Sequence, residues 1–358
     1  MLPNILAIES SCDETAASVI RQGKVLNNVV ASQNVHQKYG GVVPELASRA
    51  HQQNIYLVVS EAMASAHIGV GELNAIAFTR GPGLMGSLLV GVSFAKGMAL
   101  ALGLPLIEVN HMEAHVLAHF IDDPKPSFPF LCLTVSGGHT QIVLVEDFVK
   151  MSVIGETRDD AVGEAFDKIA KMLSLPYPGG PLVDKYAQLG NPKAFTFGDT
   201  SVPDLDFSFS GIKTAVLYFL RDQEKKNEGF VQKNLTNICA SVQFQLVKMM
   251  LGKLKLAARQ TGIHQIAIAG GVAANTGLRN GLQELAQLES WITYIPKFEY
   301  CTDNAAMIAM AAHYKYTYSR FSTLDVAPIA NLAIGSQYYE KYISNRRYKN
   351  LYKSSNRS

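Results

Sequence analysis

Residues 5–20 read ILAIESSCDETAASVI. Two apolar runs, Ile5–Ile8 and Ala17–Ile20, flank the polar stretch Glu9–Ala16. Short apolar runs on either side of a polar turn are typical of paired strands. The stretch therefore predicts a β-hairpin whose tip carries hydroxyl and carboxylate groups, including Asp13. Hydroxyls and exposed amides at such a tip can hold phosphate, and an acid can hold a metal-bound water. An ordinary polar turn is the alternative.

The same pattern begins again about 125 residues later, a spacing that suits one domain. Residues 130–145 read FLCLTVSGGHTQIVLV, with strands predicted at Phe130–Val135 and Gln141–Val145 and a turn at Ser136–Thr140. We read the chain as a duplicated β-β-β-α-β-α unit.

The remaining predicted elements follow in the same order in both halves. Predicted strands lie at Val25–Ser32, Ala75–Thr79, Leu106–Val109, Ser152–Glu156 and Gln265–Ala269. Predicted helices run from Pro44 to about His67, from the turn at Gly81–Ser87 to about Leu102, over Asp160–Ser174 and over Phe230–Gln260. Pro176–Pro181 is predicted to be a rigid, glycine-bearing loop.

Two histidines stand four residues apart in the stretch VNHMEAHVLA, Val109–Ala118. On a helix His111 and His115 lie about 40° apart on one face, which lets two imidazoles bind one metal ion. Glu113 lies about 200° round the helix from both and is poorly placed as a base at that metal. The alternative is an amphipathic helix with two half-buried histidines.

Two later stretches are candidates for the same site. GGVAAN, Gly270–Asn275, follows a predicted strand and opens a helix, which is the expected place for a nucleotide in an α/β sheet. Asn275 can read a ribose or base edge with its amide. YCTDNAAM, Tyr300–Met307, places Thr302 or Asp303 at the start of a helix, where Asp is usually a cap. Asp303 is also the best carboxylate to complete the histidine pair.

Composition narrows the function classes. The chain has 358 residues, 48% hydrophobic and 17% charged, which suits a folded protein of about two domains. Four separated cysteines fit a reducing cytosol, and we see neither a secretory signal nor a membrane span.

The last 18 residues, 341–358, form a basic tail with six Lys or Arg residues and three tyrosines. Such a tail either binds RNA, through its cations to the phosphates and its tyrosines to the bases, or is solvated.

Ten stretches resemble the TsaD family, the tRNA N(6)-adenosine threonylcarbamoyltransferases once described as O-sialoglycoprotein endopeptidases. They are ESSCDETA, GGVVPELASRAH, GPGLMGSL, NHMEAH, VSGGHT, GEAFDKIAK, YPGGP, DFSFSGIKT, AGGVAAN and CTDNAAM, in family order from residue 9 to about residue 312. The resemblance implies an α/β, actin-like/sugar-kinase/Hsp70 (ASKHA) fold. Two duplicated RNase H-like domains would enclose a cleft, at 1–108 plus about 300–330 and at 109–299.

The resemblance also implies the site residues. It gives His111, His115 and Asp303 as metal ligands and Asp13 as a catalytic residue, an acidic side chain important for activity. The residues implied to hold threonylcarbamoyl-AMP are Thr134, Val135, Ser136, Gly137, Gly138, Asp167, Gly180, Asp184 and Asn275.

The implied reaction transfers the threonylcarbamoyl group to the exocyclic amine of adenosine 37 in tRNAs that read codons beginning with A, and releases AMP. One divalent metal ion is implied, Fe²⁺ first and Zn²⁺ second, since two histidines and a carboxylate suit either. The implied partners are tRNA, a smaller bacterial paralogue (TsaB) and a P-loop ATPase (TsaE), in the cytoplasm with no membrane. A metalloprotease, a small-molecule kinase of the same superfamily and a non-enzymatic scaffold are the alternatives.

Overall fold

The computed structural model describes residues 3–198 and 202–335, so the basic tail lies outside the described residues. A first sheet has the strand order β3-β2-β1-β5-β6, with β4 also paired to β2. Strands β1 and β2 form the predicted hairpin, and β5 and β6 run parallel to β1. The strands are β1 (Asn4–Glu9), β2 (Thr15–Arg21), β3 (Lys24–Val25), β4 (Val29–Ala31), β5 (Ala75–Gly81) and β6 (Leu106–Asn110).

A second sheet repeats this arrangement, with the order β9-β8-β7-β10-β11. Its hairpin, β7 and β8, is antiparallel, and β10 and β11 continue the sheet in parallel with β7. The strands are β7 (Phe130–Val135), β8 (Thr140–Asp147), β9 (Lys150–Glu156), β10 (Gln265–Ala269) and β11 (Ile292–Tyr294). The duplication expected from the sequence is therefore present in the strand order of both sheets.

Ten α-helices of the described residues surround these sheets. They are α1 (Pro44–Ser65), α2 (Met85–Leu102), α3 (His111–Leu117), α4 (Val162–Met172), α5 (Gly179–Ala187), α6 (Ser210–Lys226), α7 (Phe230–Lys233), α8 (Leu235–Thr261), α9 (Thr276–Glu289) and α10 (Ala305–Thr317).

Alternating strand residues divide the core into three layers. In β1, Leu6 and Ile8 pack with α1 and α2, whereas Ile5 and Ala7 face the space between the sheets. In β7, Leu131 and Leu133 pack outward with the larger helices of the second half. The inner layer contains α3 and α10, which are buried between the two sheets. The histidine helix therefore sits where both halves of the molecule meet.

Three local predictions were wrong, and one predicted helical region is divided into two helices. The strand expected at Val25–Ser32 is interrupted, because Asn27 turns its side chain to Val19 N and Ala62 O instead of continuing the ladder. The helix expected over Phe230–Gln260 breaks at Asn234 between α7 and α8. The loop expected at Pro176–Pro181 ends early, since α5 begins at Gly179. Helix α10 begins at Ala305 with Asn304 as its N-cap, so neither Thr302 nor Asp303 caps it.

Helix α2 bears on the prediction that the chain does not enter a membrane. Among the described residues it alone is long and apolar enough to cross a membrane, by length and composition. Its residues Leu88, Val92 and Ala95 are nevertheless buried against the first sheet and α1. Only 33% of the helix is buried, and a single apolar helix of this kind is weak evidence for a membrane span.

Candidate metal centre and nucleotide cleft

Helix α3 starts abruptly at the end of β6. Asn110 is its N-cap, and its side-chain oxygen accepts hydrogen bonds from the N–H groups of Met112 (2.9 Å) and Glu113 (3.2 Å). An Asn cap satisfies N–H groups that the first turn leaves unpaired. The Asn110 amide nitrogen also donates to the carbonyls of Leu332 and Ala333. The first turn, which carries His111, is therefore held on both sides.

His111, His115 and Asp303 come together as the sequence predicted. The Nε2 atoms of His111 and His115 lie 3.2 and 3.3 Å from Oδ1 of Asp303. The two imidazole rings are 4.7 Å apart between centroids. All three candidate ligand atoms lie within 4.8 Å of one another. This is the spacing of side chains that can surround a single ion.

Asp303 is available because other side chains cap α10. The Asn304 side-chain oxygen accepts from Met307 N at 3.0 Å. Asn28, from the first half of the chain, accepts from the N–H groups of Ala305 and Ala306 at 3.2 and 3.3 Å. The carboxylate of Asp303 is thereby left to face the histidines, with 22% of its side chain exposed.

Glu9, the last residue of β1, lies behind His111. Its Oε2 is 3.1 Å from Nδ1 of His111 and accepts a hydrogen bond from Thr79 Oγ1 at 2.6 Å. Its Oε1 accepts from Ser11 N at 2.5 Å. A carboxylate on the second ring nitrogen of a metal-binding histidine fixes the tautomer and aims the first nitrogen at the metal. The sequence predicted Glu9 as the first residue of the polar turn, whereas Glu9 ends β1 and its side chain lies behind His111.

Burial and neighbouring charges shift the pKa values of the three side chains. Burial lowers the pKa of His115. The carboxylates of Asp303 and Glu9 outweigh burial at His111 and raise its pKa well above the usual range. Burial by itself would raise the pKa of Asp303, but the two imidazoles hold it well below the usual range. The site thus stabilises two carboxylates around a positive charge, which is the environment a divalent cation requires.

Glu113 points away from this cluster, as the helical geometry predicted. Its Oε1 accepts from Gly335 N at 3.2 Å, and its Oε2 lies 3.7 Å from the buried Lys315 ammonium. Glu113 therefore anchors the opposite face of α3.

The three side chains fit a divalent metal ion. Two imidazole nitrogens and one carboxylate oxygen are a donor set suited to iron or zinc and leave coordination positions for other ligands. Nε2 of His115 is the ring nitrogen turned toward Asp303. Nδ1 of the same ring is buried and has no hydrogen-bond partner among the described residues.

A cleft of about 590 Å³ adjoins the trio. Asp13 and Glu14 of the first hairpin tip line it together with Gly137 of the second tip. Thr302, the neighbour of Asp303, lies on the same wall. The other lining residues used below are Asp167, Tyr177, Gly180, Asp184, Gly271, Val272 and Asn275. Both hairpins and the distal glycine turn thus meet at one cavity.

The second hairpin contributes mainly its backbone. Thr134 and Val135 are fully buried strand residues, and the Thr134 hydroxyl donates to Gln141 O. Ser136 closes the turn through bonds to the backbone of His139, with Oγ accepting from His139 N at 3.1 Å. Gly137 and Gly138 are exposed, and a Cβ on either would meet open space. These two glycines are therefore the exposed part of this turn.

Three predicted ligand residues also hold the walls of the cleft together. Asp167 Oδ1 accepts from the N–H groups of Gly179 and Gly180 at 2.8 and 3.0 Å, and burial raises the pKa of Asp167. Asp184 Oδ2 accepts from Thr276 N and Oγ1. Oδ1 of Asp184 is buried without a partner among the described residues, which makes it a candidate acceptor for a ligand hydroxyl.

Asn275 has a structural task in addition to its predicted one. Its side-chain oxygen caps α9 by accepting from Leu278 N at 2.9 Å, and its nitrogen donates to Gln243 Oε1 at 2.8 Å. One N–H of the amide and the second lone pair of its oxygen are left for a ligand. The predicted contact with a ribose or base stays a prediction.

Two further residues of the cleft have raised pKa values. Burial, followed by the carboxylates of Asp303 and Asp13, raises the pKa of Glu14 to about 9. Burial also raises the pKa of Tyr177. Perturbed ionisable groups in a cleft are typical of functional sites. The sequence showed Glu14 only as one of several polar residues at the tip, and Tyr177 only as the first residue of the YPGGP stretch.

Comparison with known proteins identifies the family. Residues 24–310 match the model of the TsaD family, described as tRNA N6-adenosine threonylcarbamoyltransferase. The chain belongs to this family. The protein of that name from Christiangramia forsetii is 61% identical over 326 residues, which cover 90% of this chain and 96% of the relative. A relative of the same name from Clostridium botulinum is 49% identical over 340 residues, covering 93% of this chain and 98% of its own.

Solved structures support the ASKHA-like fold. Full-length HypF, in a phosphate- and nucleotide-bound form, superposes with a TM-score of 0.60 at 13% identity, covering 88% of this chain and 46% of that chain. Component A of the (R)-2-hydroxyglutaryl-CoA dehydratase of Acidaminococcus fermentans gives a TM-score of 0.50 at 15% identity, covering 88% and 99%. At these identities the likeness concerns the fold alone.

The metal centre leads to a first prediction. His111→Ala or Asp303→Ala removes a ligand and should reduce bound iron or zinc at least about tenfold, measured by elemental analysis of the purified protein. Glu9→Gln, which keeps the shape but removes the charge behind His111, should weaken metal affinity about 10- to 100-fold. His264→Ala, an exposed histidine outside the trio, is the control and should keep full metal content. Full occupancy in the Asp303 variant would exclude this trio.

The glycine turn after β10 leads to a second prediction. A Cβ on Gly271 would enter the open cleft, whereas one on Gly270 would strike the Val135 carbonyl. Gly271→Val should therefore weaken AMP binding at least about tenfold in calorimetry, because the side chain occupies the place of the ligand. Gly97→Val, on the exposed face of α2, is the matched control and should bind AMP normally. Unchanged binding by the Gly271 variant would remove this turn from the nucleotide site.

Proposed function

We propose that this chain transfers the threonylcarbamoyl group from threonylcarbamoyl-AMP to the exocyclic amine of adenosine in tRNA and releases AMP. The observation that carries the proposal is the His111, His115 and Asp303 trio beside a cleft built from both hairpin tips, in a member of this transferase family. The amine nitrogen forms a bond to the carbamoyl carbon and loses a proton. The bond from that carbon to the phosphate oxygen breaks, and AMP leaves.

Different residues of the cleft have different proposed roles in this reaction. The N–H groups of the exposed turn residues Gly137 and Gly138 are proposed to donate hydrogen bonds to oxygens on which negative charge develops. The unpaired Oδ1 of Asp184 is assigned to a ribose hydroxyl, and Asp167, through Gly179 and Gly180, shapes the wall under the nucleotide. Asp13, which lines the cleft at the first tip, is the proposed catalytic residue.

His111, His115 and Asp303 would hold one divalent metal ion. Two histidines and a carboxylate favour Fe²⁺, with Zn²⁺ as the second choice. When bound, the metal supplies Lewis-acid polarisation of a donor oxygen and helps to orient the reactants. Glu9 keeps the His111 ring turned toward that ion.

The implied protein partners and the cytoplasmic location are part of the same proposal. The outer faces of α1 and α2 expose Tyr56, Leu57, Leu89 and Leu100, between 48% and 68% of each residue. Exposed apolar side chains on adjacent helices support a protein-binding surface. The smaller paralogue and the P-loop ATPase implied by the resemblance are the proposed partners. The proposed domains are 1–108 plus about 300–330, and 109–299, which agrees with the packing of α10 on the first sheet.

The metalloprotease alternative lacks a base. A protease of the two-histidine type needs a Glu beside the metal. Glu113 is instead tied to Gly335 and lies near Lys315 on the far side of α3. The geometry therefore favours acyl transfer over peptide hydrolysis.

The test is reconstitution with purified components. The chain, threonylcarbamoyl-AMP and unmodified tRNA are incubated with and without the paralogue and the ATPase, and modified adenosine is measured by mass spectrometry of digested tRNA. We expect product only when the partners are present, and none with Asp303→Ala. Multiple turnovers by the chain alone would contradict the need for partners. Absence of product in every mixture, or metal-dependent cleavage of a glycoprotein, would contradict the transferase proposal.

A further inference from the structure

The carbonyl oxygen of Cys12, at the tip of the first hairpin, receives side-chain hydrogen bonds from two helices. His51 of α1 approaches it through Nε2 at 3.0 Å, and Ser87 of α2 donates to it through Oγ at 3.0 Å. Both side chains belong to fully buried residues. Two donors from separate helices on one carbonyl fix its position more firmly than either could alone.

His51 also reaches the other side of the tip. Its Nδ1 lies 2.8 Å from the Thr15 hydroxyl, which is fully buried. Burial lowers the pKa of His51, so the ring is neutral near pH 7. Because a carbonyl can only accept, Nε2 carries the proton and Nδ1 accepts from Thr15. One imidazole thus spans the two residues that flank Asp13 and Glu14.

Helix α2 holds the preceding residues of the tip. Leu84 N donates to Ser11 O at 2.7 Å, and Ser10 Oγ donates to Ser87 O at 3.1 Å. The contact between helix and hairpin is so close that a Cβ on Gly91 would overlap Ser10 Oγ. Residues 10–12 are therefore tied to the first turns of α2.

The opposite side of the tip faces the reaction site. Ser11 Oγ lies 3.2 Å from Nδ1 of the metal ligand His111. Asp13 and Glu14 line the cleft, whereas His51 does not. The tip is consequently the piece of structure that joins the α1–α2 pair to the metal centre.

From this geometry we infer that His51 is a positioning residue for the transfer reaction. It acts through the Cys12 carbonyl and the Thr15 hydroxyl, and it holds Asp13 and Glu14 in the register that the cleft requires. It touches neither substrate nor metal. The inference rests on the proposed function, since the positions of Asp13 and Glu14 matter here for the transfer reaction.

Removal of His51 would leave the hairpin tip held from one side only. Without His51 the Cys12 carbonyl keeps only Ser87, and Thr15 loses its acceptor. A tip held from one side can shift by a fraction of an ångström, and small displacements of catalytic groups lower the rate of the chemical step more than they lower binding. The helices that carry the metal trio have caps outside the tip, Asn110 for α3 and Asn304 for α10, so metal content should not change.

The experiment compares His51→Leu with His51→Gln in the reconstituted, partner-containing reaction. Leu removes both hydrogen bonds, and Gln retains an amide donor close to the position of Nε2. We expect His51→Leu to lower kcat by on the order of tenfold, with KM for the donor within about twofold and metal content unchanged. His51→Gln should restore kcat to within about threefold of the unsubstituted chain, because a carbonyl bond is regained.

His313→Leu is the matched control. His313 is a buried histidine of α10 that lies against Gly23, away from the tip, and burial lowers its pKa as at His51. It should change the melting temperature without changing kcat. Adding Ser87→Ala to His51→Leu should lower kcat by more than the product of the single effects, since both residues serve one acceptor.

Three outcomes separate the possibilities. A folded His51→Leu variant with full kcat overturns the inference. Equal loss in the Leu and Gln variants, in parallel with lost metal or a lowered melting temperature, also overturns it and assigns His51 a structural role alone. Failure of the unsubstituted chain to modify tRNA in the same assay counts against the proposed function instead.

Discussion

The carboxylate of Asp303, shared by the Nε2 atoms of His111 and His115 at 3.2 and 3.3 Å, is the contact on which the site depends. It joins two parts of the chain that are separated by nearly the whole second half. Burying a carboxylate against imidazoles is costly unless each group is paired. Here the two imidazoles pair the carboxylate, and Glu9 pairs His111 from behind. Asn110 and Asn304 cap the helices α3 and α10 and so fix the backbone beside these groups.

The duplicated fold explains why these groups meet. Each half presents a hairpin, and the parallel strands of each sheet end on the same side as the tip of that hairpin. In open α/β sheets ligands bind beyond the carboxyl ends of the strands. The first tip supplies Asp13 and Glu14, the second supplies Gly137, and β10 leads into the turn at Gly271. Helices α3 and α10, packed between the sheets, bring the metal ligands to the same place.

Much of this arrangement was predictable from the sequence, because its signals are local. Strands β7 and β10 have the predicted bounds, since each is an apolar run that ends at a glycine or serine turn. The histidine pair followed from helical spacing, and the assignment of Asp303 followed from the family resemblance. The domain limits and the roles of the nucleotide-binding residues stay predictions.

What the sequence did not predict depends on contacts between distant residues. The cap that Asn28 provides for α10 links residues 277 and 278 positions apart, and no local pattern marks it. Glu9 looks like one of several polar residues of a turn until its bond to His111 is seen, and His51 looks like one polar residue of an amphipathic helix. Asn27 breaks the third strand because its side chain binds to α1, which propensity alone does not indicate.

The most direct test of the account is to locate the metal itself by anomalous scattering at the iron and zinc absorption edges, in crystals of the purified protein grown with AMP. The account predicts one strong peak bonded to Nε2 of His111, Nε2 of His115 and a carboxylate oxygen of Asp303, with the nucleotide phosphate directed toward it from the cleft. A peak elsewhere, or a metal bound by Glu113 on the opposite face of α3, would contradict it.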